Sequence, residues 1–174
     1  MRKTALLLAC AAAWIAADTV RRAPGFALFD STMKVYDLAD YRGKIVLLEF
    51  MQTTCPHCAA FADVLREVEQ KYGNEIQILA VVNANGDNSN TVAQYAAGHK
   101  TDYPILFDTG QMAYSYVLST NLQYPHIYVI DGKGNIRHDY LYGLTTRDIF
   151  EGKGLYKDID ALLSEDGPAA KKKK

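Results

Sequence analysis

The segment Ile45-Val-Leu-Leu-Glu-Phe50 runs within five residues into Cys55-Pro56-His57-Cys58, and this junction constrains the fold more than any other stretch. Apolar throughout except for Glu49, the segment suits a strand covered on both faces, as in a parallel sheet. From Pro56 onward Phe61, Leu65, Val68 and Tyr72 recur at helical spacing, and Gly73 closes the pattern. Two cysteines three apart at a helix start are near enough to form a disulfide, and the first sits where the helix dipole favours a thiolate. Strand, CxxC and helix in that order read as a thiol–disulfide redox site.

The 174 residues, 49% hydrophobic and 22% charged, have the composition of one globular domain, and the formal net charge of −1 speaks against a nucleic-acid partner. The ends differ. Arg2-Lys3 and the apolar run from Ala5 to Ala17 have the form of a signal peptide, short of the roughly 18–20 residues that span a bilayer. Ile15 at the −3 position of a cut after Ala17, and Arg21-Arg22 just downstream, are untypical of a cleaved leader. An uncleaved anchor therefore stays open, and with it membrane attachment through the N-terminus. Leu7-Leu8-Ala9-Cys10 resembles a lipobox, although Cys10 as an apolar filler of the leader is the plainer reading.

Residues 1–23 are assigned to a signal peptide or membrane anchor plus linker, 24–165 to the folded domain, and 166–174, ending in Lys171–Lys174, to a disordered basic tail. Export implies a periplasmic or other extracytoplasmic location. It also leaves the domain only Cys55 and Cys58, and one vicinal pair is a redox site rather than a disulfide framework. The one Trp, Trp14, lies in the leader.

Along the domain, Phe26–Phe29 and Met33–Tyr36 flank Asp30-Ser-Thr as a short hairpin, and Leu38–Gly43 reads as a helical turn. A second strand covers Ile76–Val82. Ser89 or Asn90 caps a helix over Thr91–Ala97 that Gly98 stops. Tyr103–Phe107 reads as a strand and Gln111–Leu118 as a helix. His126–Ile130 and Ile136–Leu141 form a hairpin around Asp131-Gly-Lys-Gly-Asn, and Leu155–Leu163 closes as a helix. Strands alternating with helices give an α/β or mixed three-layer domain.

Several of these segments together resemble the exported TlpA/ResA-like (redoxin) branch of the thioredoxin superfamily. They are Pro24-Gly-Phe-Ala-Leu28, Leu38 through Phe50, the CxxC, Tyr103-Pro-Ile-Leu-Phe-Asp108, and Tyr124-Pro-His-Ile-Tyr-Val-Ile-Asp-Gly-Lys-Gly-Asn-Ile136. The resemblance implies a thioredoxin-like fold: a central mixed β-sheet flanked by helices, an N-terminal β-hairpin, and a short βα insertion before the cis-proline strand. It implies that Tyr124-Pro125 is cis and faces the CxxC, and that this loop pairs with an extended substrate segment. It matches Glu49 to the buried acid that assists proton transfer at the resolving cysteine. Thr54, Tyr124 and His126 border the implied substrate groove and depart from the family's usual residues there.

Cys55 is the candidate nucleophile, and Cys58, one turn in, resolves the mixed disulfide. Pro56 has a structural role at the helix start. His57, if an imidazolium, favours the thiolate and makes the disulfide more oxidising; a solvent-facing histidine without effect is the plainer reading. A carboxyl in an apolar strand should have a raised pKa, although a strand-end Glu49 could also turn to solvent. An exposed loop position is the plain reading of His126. CPHC is the tetrapeptide of DsbA-like oxidases, whereas the short insertion from Asn83 to Tyr124 matches the reductase-like frame, so the direction of exchange stays open.

The implied partners are protein thiol or disulfide substrates and a redox-recycling protein, with no cofactor. A thiol peroxidase of the same fold and a copper-binding, cytochrome-oxidase-maturation type of protein are the alternatives. Against the first, Gln52 stands where the peroxidase motif has Thr. Against a zinc site, His99, His126 and His138 are scattered.

Overall fold

A computed structural model of the chain describes residues 20–119 and 122–166. The leader, Cys10, Trp14 and the lysine tail lie outside the described residues. Five strands form the main sheet: β3 (Ile45–Met51), β4 (Ile76–Asn83), β5 (Ile105–Asp108), β6 (His126–Ile130) and β7 (Ile136–Leu141), in the order β5-β4-β3-β6-β7. β3 runs parallel to β4, and β4 to β5, while β6 is antiparallel to β3 and β7 to β6. Strands β1 (Ala27–Phe29) and β2 (Val35–Asp37) make a separate hairpin. The helices are α1 (Pro56–Tyr72), α2 (Ser89–His99), α3 (Gln111–Val117), α4 (Arg147–Phe150) and α5 (Lys153–Asp166).

Every residue of β3 is buried, because this central strand is covered on both faces. Ile45, Leu47 and Met51 meet Phe61, Leu65 and Val68 of α1 and Leu155, Ile159 and Leu162 of α5. Val46, Leu48 and Phe50 meet Met112 and Tyr116 of α3 on the other side. Burying a side chain such as Leu65 or Phe61 contributes about 1.5–3 kcal/mol. By strand alternation Glu49 belongs to the α1 side.

Helix α1 has the limits its sequence announces, with Pro56 in the first turn and Gly73 at the C-cap with φ 52°. Helix α2 does not. Its N-cap is Asn88, whose side chain accepts from the N–H of Asn90 at 2.9 Å and of Thr91 at 3.2 Å. Thr91 Oγ1 accepts in return from the Asn88 N–H at 3.0 Å, completing a capping box. At the other end Gly98 costs only about 1 kcal/mol inside a helix, and the chain turns at Lys100 instead, with φ 53° and ψ 45°. Strand β5 begins two residues later than its apolar run, at Ile105.

After β7 a 3₁₀ turn at Leu144–Thr146 and the one-turn helix α4 precede α5, which starts at Lys153 rather than Leu155. Residues 21–23, read as linker, are docked: Ile136 N–H donates to the Arg21 carbonyl at 2.8 Å, Ala23 N–H to that of Gly134 at 3.0 Å, and Ala23 is buried. Among the described residues no helix is long and apolar enough to cross a membrane.

Candidate active site

The two cysteines sit at the C-terminal edge of β3, in unlike surroundings. Cys55 is the N-cap of α1, with extended backbone (φ −83°, ψ 118°), and its sulfur accepts the N–H of Cys58 at 3.3 Å. It is half-buried, and its sulfur lies 3.9 Å from the Tyr124 carbonyl oxygen. Cys58 is buried, and both cysteines are free thiols. Burial first, then the charge of Glu49 and hydrogen bonding to Cys55, pushes the Cys58 thiol far up. One thiol is thus presented at a helix N-terminus, and its partner is kept protonated behind it.

Glu49 is wholly buried, and neither carboxylate oxygen has a hydrogen-bond partner. Burial pushes its pKa from the ordinary 4.5 up to about 8. It faces the apolar side of the sheet that also holds Cys58, not solvent. The Tyr124–Pro125 peptide is cis. Pro125 is buried, Tyr124 half-buried and packed against the same core, while Thr54 and Pro56 are exposed beside Cys55. The structure therefore brings together Cys55, Cys58, Glu49, Thr54, Pro56, Tyr124 and Pro125.

His126 does not join them. It is buried rather than in an exposed loop, and it pairs with Phe50 of β3, so its side chain shares the opposite face of the sheet. There its Nε2 meets Asp139 Oδ1 at 2.5 Å and its ring stacks on Tyr128 with centroids 4.6 Å apart. One residue past Pro125, the strand pleat has already carried the side chain through the sheet.

His57 is exposed, yet its ring lies stacked on Tyr142. Sequence reasoning singled out neither that residue nor Tyr95. Tyr95 Oη donates to the Cys58 carbonyl at 2.9 Å, from α2 onto the first turn of α1. Asp87 was missed as well: it accepts from Thr53 Oγ1 in the loop before Cys55, and from Thr91 Oγ1 at 3.3 Å, tying that loop to α2. Its place before the Asn88 cap was the one local signal available. Among the described residues no three His, Cys, Asp or Glu side chains are grouped to hold a metal ion.

Two unlike thiols in one helical turn, set on this sheet opposite a cis-proline, define the class: a thioredoxin-like thiol-disulfide oxidoreductase. The family model described as AhpC/TSA matches residues 20–139, and the chain belongs to that family. It is 30% identical over 131 residues to the thiol-disulfide oxidoreductase ResA of Geobacillus thermodenitrificans, covering 73% of this chain and 71% of that one. It is 26% identical over 130 residues to the thioredoxin-like protein YneN of Bacillus subtilis, covering 74% and 75%. Among solved structures, a thiol:disulfide interchange protein from Chlorobium tepidum TLS matches the fold with a TM-score of 0.65 at 18% identity, over 78% of this chain and 95% of that one.

Proposed function

We propose that this chain is an extracytoplasmic thiol-disulfide oxidoreductase that exchanges disulfides with cysteines of other proteins, Cys55 attacking and Cys58 resolving. The observation that carries the reading is the inequality of the two thiols: Cys55 caps the helix at its accessible end, and Cys58 is buried beside Glu49. The apolar run behind Arg2-Lys3 supports export.

In the reducing direction the Cys55 thiolate attacks one sulfur of a substrate disulfide and expels the other as a thiolate. Cys58 then loses its proton to the Glu49 carboxylate and attacks the Cys55 sulfur. The Cys55–Cys58 bond forms, the substrate's remaining sulfur leaves as a thiolate, and two electrons have passed from the pair to the substrate. With a pKa of about 8, Glu49 is about one-tenth ionised at pH 7, so it can both take and return this proton. The edge formed by Thr54, Tyr124 and Pro125 is where the substrate segment would lie.

Oxidation of a dithiol is the same path in reverse. A reduction potential near about −120 mV runs it as an oxidase, and one below about −200 mV as a reductase. A redox partner of matching potential recycles the pair. The test is dithiothreitol-dependent reduction of insulin by the purified domain, which Cys55→Ser should abolish; full activity in that variant would sink the reading.

A further inference from the structure

The hairpin of β1 and β2 turns at Asp30–Met33, where the Met33 N–H donates to the Asp30 carbonyl at 3.1 Å. Met33 holds φ 66°, a left-handed conformation that hairpin turns normally give to Gly or Asn. Its side chain is 71% exposed, and Phe29 and Val35 on the two strands are exposed as well. A large apolar residue is thus kept where backbone strain and hydration both oppose it. Strain of this kind concentrates at binding sites, and exposed apolar patches mark contact surfaces.

Beside Met33 lies a cavity of about 250 Å³, lined by Phe29, Met33 and Phe107 together with Asp30, Asp87 and Asn88. The Phe29 and Phe107 rings lie 6.4 Å apart and give it an apolar wall. It sits at the same end of the sheet as the thiols, because Asp87 accepts from Thr53, two residues before Cys55. That spacing sets the cavity roughly 10–15 Å from Cys55, the reach of about three to five extended residues.

The charge of the cavity is one-sided. Among the described residues the hydrogen bonds to Asp30 and Asp87 come from hydroxyls and backbone N–H groups of Thr32, Lys34, Tyr36, Thr53 and Thr91, and none from a cationic side chain. Lys34 Nζ stands over the Tyr36 ring instead. Burial acts to raise the Asp30 pKa, but the bonds from Thr32, Lys34 and Tyr36 outweigh it and hold this carboxyl below its usual value.

We propose that this cavity is a docking subsite for the protein substrate: it takes a segment that carries an apolar side chain next to a lysine or arginine, a few residues from the reacting cysteine. Phe29, Met33 and Phe107 receive the apolar group, and Asp30 and Asp87 the cation. The inference rests on the reading of the chain as an exchanger of disulfides with other proteins.

The experiment is the second-order rate constant for oxidation of the reduced domain by disulfide-linked peptides, read by alkylation and mass shift. The peptides carry Phe-Lys, Phe-Glu or Gly-Gly four residues from the cysteine, on either side, and oxidised glutathione is the small comparator. Phe-Lys should react about tenfold faster than Phe-Glu. M33G should slow the Phe-Lys peptide about three- to tenfold and leave glutathione unchanged. Because glycine relieves the left-handed position, M33G should not lower the urea midpoint, so the loss cannot come from unfolding. D30N should reduce the preference for Phe-Lys over Phe-Glu about two- to fivefold.

Equal rates for all three peptides, or an M33G effect shared by glutathione, would overturn the proposal. Fluorescence anisotropy of a labelled Phe-Lys peptide with Ser in place of Cys needs no thiol chemistry. It should show binding that M33G weakens, so a failed insulin assay would remove the functional reading and leave the docking result to stand separately.

Discussion

Replacing Glu49 by Gln removes an ionisable group from a site that has no hydrogen-bond donor for it, and the consequence for stability follows from linkage. The folded-state pKa is raised, from 4.5 to about 8, so the folded protein holds this proton more tightly than the unfolded chain does. The group's contribution is therefore complete below pH 4.5 and is lost as pH rises toward 8, where it levels off. Integrating over the two acid constants gives a loss of about 1 kcal/mol at pH 5, about 3 kcal/mol at pH 7 and about 5 kcal/mol above pH 9. E49Q has no such titration, so its stability relative to the parent should climb by about 4 kcal/mol between pH 5 and pH 9. The assay is urea unfolding across that range in a C55S/C58S background, which removes the Cys58 thiol, itself pushed up by burial. A difference between the two proteins that stays flat from pH 5 to pH 9 would refute the argument that burial keeps this carboxyl neutral.

Two further outcomes follow from the same geometry. With Cys58→Ser nothing remains to resolve the mixed disulfide, so Cys55 should accumulate adducts with protein substrates on non-reducing gels, and a clean monomer would count against Cys55 as the attacking sulfur. Tyr95→Phe removes a second donor from the Cys58 carbonyl, which keeps its helical bond in α1, and should cost about 0.5–1.5 kcal/mol in urea unfolding, with an unchanged midpoint showing that the bond contributes nothing.

How much was legible in the sequence depended on how locally each feature is encoded. Helix α1 could be read to the residue because Pro56, the apolar spacing and Gly73 all lie within it. Strand β3 was equally plain, since both its faces are buried. Helix α2 was placed two residues late and ended two residues early, because Asn88, Ser89 and Asn90 can all cap a helix and only the folded loop selects one. Helix α4 is a single turn and carries no period to detect. His126 was misread although its strand was legible, because only the pairing with Phe50 shows that this first strand residue is buried, on the face opposite Cys58.

The sequence alone determined the thiol pair, its place at a helix start behind a covered strand, and the alternation of strands and helices around it. Each of these rests on spacing between residues close together in the chain, where steric and solvation preferences act without help from the rest of the fold. What only the tertiary structure decided was the environment of that pair. Glu49 sits neutral beneath Cys58, Tyr95 reaches the first turn of α1 from α2, and Tyr142 arrives beside His57 from more than eighty residues away. Desolvation and ring stacking act at short range between side chains that only folding brings together, so spacing along the chain could not reveal them.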